Sequence, residues 1–166
     1  MPSRVLDPCA IFRIRSWEVK PTPPIRLERA LTSSWPNSTG TVPTGWLDIL
    51  CTGPTDWLIV SPGMGAATLL QTVTDALAGS SFRATNLSSA LTRIQRHTDP
   101  SAYTLLSKGC ALDITPRSFL PGRCASTRFA SLPVIIRCNS SSHLRMYPPR
   151  ELPTTSARLA RGCELS

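Results

Sequence analysis

The spacing of apolar positions changes character near residue 46. Before it, apolar residues are scattered among prolines and small polar residues; after it, short apolar runs alternate with helical stripes. Residues 46–51 (WLDILC) and 56–60 (DWLIV), joined by Thr52-Gly53-Pro54-Thr55, predict a hairpin. Leu69, Leu70, Val73 and Leu77 recur at helical spacing and predict a helix over 66–78, with Gly79 placed to end it. Residues 81–88 and 91–97 predict two further strands. Asp99-Pro100 opens a second helix: the carboxylate accepts first-turn amide protons, and a proline there forfeits no hydrogen bond. Ala102, Leu105 and Leu106 form its apolar stripe, and Gly109 is the natural left-handed stop. Residues 127–138 and 143–147 predict a last hairpin turning at Asn139 to Ser142. A final helix is predicted over about 153–162, burying Leu159 and either Ala160 or Ser156.

The order of hairpins and helices predicts an α+β domain: an antiparallel or mixed sheet built from hairpins, with helices packed on one face. The first 45 residues hold KPTPP (20–24) and SSWPNSTGTVPTG (33–45), which are linker compositions. They are read as a Pro-rich arm suited to wrapping a partner, ahead of a single domain over 46–166. Within the arm, IFRIRSWEV (11–19) predicts a short strand, stable only if it pairs with a sheet in this chain or another.

Charge sharpens the picture. The chain carries 18 Lys and Arg against 10 Asp and Glu, and lysine occurs only at Lys20 and Lys108. Arginine suits planar, bidentate partners such as carboxylates and phosphates, so an acidic partner is expected. The six cysteines (Cys9, Cys51, Cys110, Cys124, Cys138 and Cys163) show no C-x2-C spacing. The first twenty residues lack an apolar stretch of signal-peptide length, so a reducing, cytoplasmic setting is the expectation, with most of the thiols expected as small core residues. The longest charge-free apolar stretch, 57–74, is broken by Pro62, Gly63 and Gly65, so no membrane span is expected.

Candidate chemistry is sparse. Ser61 to Thr68 (SPGMGAAT) follows a strand and opens a helix, but Thr68 stands where a dinucleotide fingerprint needs its third glycine, and no ribose-binding acid lies at the expected distance. Only His97 and His143 can serve as imidazole bases, and no G-x-S-x-G elbow is present. Cys110, Asp113 and Cys124 make a weak metal set amid arginines, which oppose a cation. More informative is the run 114–150, which has no acid but contains Arg117, Arg123, Arg128, Arg137, Arg145 and Arg150. Arg117 and Arg123 sit in a loop constrained by Pro116, Pro121 and Gly122, a form that suits recognition. Aromatics able to stack on bases are few there (Phe119, Phe129 and Tyr147), so an acidic protein face is at least as good a candidate as nucleic acid.

The run KGCALDITPRSFLPGRCASTRFASLPVIIR (108–137) resembles the signature of the gamma subunit of heterotetrameric sarcosine oxidase. The resemblance rests on Lys108, Gly109, Cys110, Leu112, Asp113, Pro116, Phe119, Pro121, Gly122, Cys124 and Thr127. Upstream, GPTDWLIVSP (53–62) is similar to that family's Gly-Pro-x-x-Trp-Leu hairpin, and YPPRELPTTSARLA (147–160) to its closing segment, with Pro148-Pro149 where the family usually has one proline. The resemblance implies a fold like the folate-binding aminomethyltransferase domain, with ferredoxin-like repeats. It also implies an accessory role in a complex that oxidatively demethylates sarcosine to glycine, with tetrahydrofolate accepting the one-carbon unit. FAD, covalently attached FMN, NAD and folate would all belong to larger subunits, leaving no cofactor and no catalytic residue in this chain. On that reading Lys108, Asp113, Arg117, Phe119, Pro121, Gly122 and Arg123 form a docking loop for the larger flavin-binding subunits, and Cys110 and Cys124 are buried packing residues. The alternatives are an independent folate-dependent aminomethyl-transfer protein and a basic nucleic-acid-binding module.

Overall fold

A computed structural model of the chain describes residues 3–18, 25–31, 35–36, 41–43, 47–129 and 132–150. In chain order the elements are β1 (Arg4–Val5), β2 (Ala10–Ser16), α1 (Ile25–Leu31), β3 (Thr41–Pro43), β4 (Asp48–Gly53), β5 (Asp56–Ser61) and α2 (Ala66–Leu77). There follow β6 (Phe82–Asn86), β7 (Ile94–His97), α3 (Pro100–Ser107), β8 (Cys124–Phe129), β9 (Leu132–Ser140) and β10 (His143–Tyr147). They fall into two compact units, Pro8–Ser88 and Met1–Asp7 with Ser89–Ser166. Each holds one five-stranded sheet with every strand pair antiparallel, so the fold is α+β.

In the Pro8–Ser88 unit the strand order is β3-β4-β5-β2-β6. Strand β2 lies inside the sheet, pairing Ala10 with Ser61 through Arg15 with Asp56 on one side, and Phe12 with Asn86 through Ser16 with Phe82 on the other. This corrects the reading of the first 45 residues as an arm. The alternation of Phe12 and Ile14 with Arg13 and Arg15 gives β2 a core face, and both its edges find partners in this chain. The Arg13 guanidinium grips the Asp56 carboxylate across the strand pair, its Nε donating at 2.8 and 3.1 Å. Other residues from the same region are built in as well: α1 buries Leu27 and Leu31, Trp35 packs tilted against Trp57 with ring centroids 5.3 Å apart, and β3 pairs with β4. The Trp57 indole N–H donates to the Pro36 carbonyl at 3.1 Å, as a buried indole requires.

Helices α1 and α2 cover one face of this sheet, with Leu27, Leu31, Leu69, Val73 and Leu77 against Phe12, Ile14, Ile49 and Ile59. Leu70, expected in the buried stripe of α2, is exposed instead, and Ala76 takes a buried place. At 100° per residue, Leu70 falls beside the stripe that Leu69, Val73 and Leu77 define. Gly79 does end the helix with a positive φ of 73°. The predicted hairpin at 46–60 is present as β4 and β5. Its ladder bulges between Cys51 and Gly53, and Trp46 lies outside the described residues. The burial that shields Cys51 also raises the pKa of its thiol, which keeps it unreactive.

In the other unit the order is β1-β7-β10-β9-β8. Ile94, Val134, Ile136, Leu144 and Met146 make the core face, and Leu106 packs on it from α3. Asp99 caps α3 as predicted, accepting the Ala102 N–H at 2.8 Å, with Pro100 at the first helical position. The run 127–138, expected as one strand, is divided between β8 and β9, which pair from Cys124 with Arg137 to Phe129 with Leu132. No glycine or asparagine marks that reversal, so the pattern alone did not reveal it. The predicted final helix at 153–162 lies outside the described residues. Among the described residues no helix is long and apolar enough to cross a membrane.

Ile14 is fully buried in β2. Ile14→Ala is therefore expected to cost about 2–5 kcal/mol in chemical denaturation. An unchanged midpoint would mean that this segment is an arm after all.

Candidate functional site

The segment from Lys108 to Arg123 joins α3 to β8 without regular secondary structure, yet its backbone is tied down at both ends and in the middle. At its start, the Gly109 N–H closes α3 on the Leu106 carbonyl at 3.2 Å, and the Gly109 carbonyl accepts the Arg128 N–H at 3.1 Å. A Cβ at this position would lie 2.0 Å from the Arg128 carbonyl oxygen. Gly109 is thus required by close backbone approach to β8. It is not the left-handed stop that was expected: among the described residues, positive φ belongs to Gly79 and Gly122. Cys110 is half-buried, its thiol 3.9 Å from the Ser126 carbonyl, whereas Cys124 is fully buried. Both stand outside any disulfide, and Cys110 is less buried than the packing role expected of it.

The middle of the loop is organised by Asp113. Its carboxylate accepts the Thr115 N–H at 3.0 Å and the Ser118 hydroxyl at 2.5 Å, while the Thr115 carbonyl accepts the N–H groups of Ser118 and Phe119. The Ser118 hydroxyl, and then the Thr115 amide, hold the Asp113 pKa below its ordinary value. This turn drives Ile114 and Phe119 into the core beside Val134 and Ile136. Phe119, expected among the docking residues, is only 5 % exposed and serves as an anchor because the Thr115 turn faces its ring inward. At the exit, Gly122 adopts φ 90° and donates to the Cys138 carbonyl at 2.8 Å, and the Cys138 N–H returns to the Arg123 carbonyl at 2.9 Å.

Of the loop residues singled out from sequence, Lys108, Asp113, Pro116, Arg117, Pro121 and Arg123 are exposed. Two further residues went unnoticed as contact candidates: Leu112 and Leu120 are 55 % and 53 % exposed. Leucine in an apolar-patterned segment reads as core, so the sequence offered no signal for them. The arginines of the acid-free run also divide. Arg137 is buried opposite Arg145 and Cys124, while Arg117, Arg123, Arg128 and Arg150 face solvent.

The other candidate chemistries are less well assembled. His97 and His143 stand directly opposite each other on β7 and β10, with ring centroids 5.1 Å apart. His143 Nδ1 is 2.9 Å from the Ser142 hydroxyl. The Asp99 carboxylate accepts the Ala102 N–H at 2.8 Å and the Ser101 hydroxyl at 2.5 Å. In the strand-to-helix turn, a Cβ at Gly65 would meet no atom within 4 Å, so close approach does not call for glycine there. Among the described residues no group of three or more His, Cys, Asp or Glu side chains converges on a metal position.

No family model and no curated protein matches the chain. Solved structures do. A chain of heterotetrameric sarcosine oxidase from Corynebacterium sp. U-96, in complex with pyrrole 2-carboxylate, superposes with a TM-score of 0.75 at 20 % identity, over 99 % of this chain and 87 % of that one. The glycine cleavage system aminomethyltransferase T from Bartonella henselae matches with a TM-score of 0.58 at 10 % identity, over 96 % of this chain but 45 % of that one. At these identities the likeness establishes a shared fold, the one that the 108–137 resemblance implied.

Two outcomes test the loop geometry. Gly109→Ala is expected to destabilise the chain by about 1–3 kcal/mol or more in thermal or chemical unfolding, because the methyl meets backbone that cannot yield freely. Because the folded Asp113 pKa is lowered, its hydrogen bonds persist at and above the ordinary carboxylate value and are lost only as pH falls through the lower folded value. In an NMR titration the Thr115 amide signal should hold its position until that lower range. A shift centred on the ordinary aspartate pKa would show that the turn does not form.

Proposed function

We propose that this chain is a non-catalytic accessory subunit of a sarcosine oxidase complex in the cytoplasm, assembled with larger flavin-binding subunits. The observation that carries the reading is the end-to-end match, over 99 % of this chain, to a chain of heterotetrameric sarcosine oxidase. The complex would convert sarcosine to glycine with tetrahydrofolate as one-carbon acceptor, holding FAD, FMN and NAD on its other subunits. This chain would contribute shape and charge, with Lys108, Arg117 and Arg123 of the rigid loop meeting carboxylates on a larger subunit. A preformed loop loses little conformational freedom on docking, which favours that use. Neither nucleic acid nor membrane is among the proposed partners.

A second reading, aminomethyl transfer by this chain itself, draws on its likeness to aminomethyltransferase T. The chain spans 45 % of that protein, so the accessory reading is preferred.

Co-expression with the large flavin-binding chains tests the proposal. The chain should co-purify with them in a yellow complex, and purified alone it should be colourless and inert toward sarcosine. The double variant Arg117→Glu, Arg123→Glu should lose co-purification while keeping its unfolding midpoint. Substrate turnover by the lone chain, or full recovery of the complex with both arginines reversed, would contradict the proposal.

A further inference from the structure

We infer that Leu112 and Leu120, flanked by Arg117 and Arg123, are the apolar anchors of a docking surface for a protein whose facing surface offers apolar pockets rimmed by carboxylates. The inference rests on the accessory-subunit reading only for which protein supplies that surface. Large exposed apolar side chains among the described residues are Val5, Trp17, Leu70, Leu112 and Leu120, so two of the five flank the same fixed turn. Their exposure follows from the fold: Ile114 and Phe119 occupy the core, and the Asp113 turn between them leaves Leu112 and Leu120 outside. Anchors on a preformed loop bind without a large ordering cost, and buried apolar groups ringed by charge are the usual arrangement of an energetic centre.

Charge selects the partner. Asp113 is the only acid from Lys108 to Arg150, and its carboxylate is engaged by Thr115 and Ser118. On the same loop the exposed cations Lys108, Arg117 and Arg123 outnumber Asp113, the one exposed acid. A nucleic acid would answer the charge, but the leucines offer no ring for a base to stack on. A bilayer would answer both, yet the loop lacks the amphipathic helix with which peripheral proteins enter one. An acidic protein surface answers the charge and the apolar anchors together.

The full chain carrying the photo-cross-linker benzoylphenylalanine in place of Leu112 or Leu120, illuminated in its own cells, tests this, with the same residue in place of exposed Leu70 as control. Adducts to an acid-rich protein segment from both loop positions, absent from the control, are expected. Adducts at the control level, or with RNA or lipid alone, overturn the inference. The double variant Leu112→Ser, Leu120→Ser should then bind the captured protein about tenfold more weakly or worse, with its melting curve unchanged. Equal affinity would also overturn it. Capture of an acidic protein that holds no flavin supports this surface while defeating the sarcosine oxidase assignment, so the two claims fail separately.

Discussion

The backbone of Gly109 runs so close to β8 that a methyl group on it would collide with the Arg128 carbonyl. Much of the molecule's presented surface follows from that approach. It pins the chain leaving α3 to the outer strand of the sheet through the Arg128 N–H, which gives the loop a fixed origin. From there the Asp113 turn, the core anchors Ile114 and Phe119, and the Gly122 return to Cys138 leave little freedom before β8. A segment without helix or strand is thereby tied to neighbouring elements through the backbone of Gly109, Gly122 and Arg123.

The same fold sorts a large arginine content into two uses. Arg13 ties β2 to β5 through Asp56, Arg93 donates to the Asp7 carbonyl at 2.6 and 3.2 Å, and Arg96 to the Ser101 hydroxyl at 3.1 Å. These bury or bridge, and belong to stability. Arg117 and Arg123 are held on the loop with their side chains in solvent, and a guanidinium is shaped to bind a carboxylate through two parallel hydrogen bonds. Net charge alone did not separate the groups; position in the fold did.

How much could be read from sequence depended on whether the signal was local. The Asp99-Pro100 cap, the Gly79 stop and the β4–β5 hairpin were legible because each depends on a few adjacent residues. The place of β2 was not, since its partners β5 and β6 lie far along the chain and its flanks have linker composition. The division of 127–138 into β8 and β9 was hidden for a different reason: no glycine, asparagine or aspartate stands between them in the sequence. In the loop, the rigidity implied by proline and glycine was legible. The inward course of Phe119 and the outward course of Leu112 and Leu120 were not, because only the Asp113 hydrogen bonds decide which apolar residue faces which way.

On the proposed function, the segment 110–123 is the face by which this chain joins a larger assembly. Hydrogen–deuterium exchange on the full chain, alone and mixed with the large flavin-binding subunits, tests it most directly. The account predicts that amides across 111–121 exchange more slowly in the mixture, with little change along α2. Unchanged exchange in that segment, with protection elsewhere or nowhere, would contradict it.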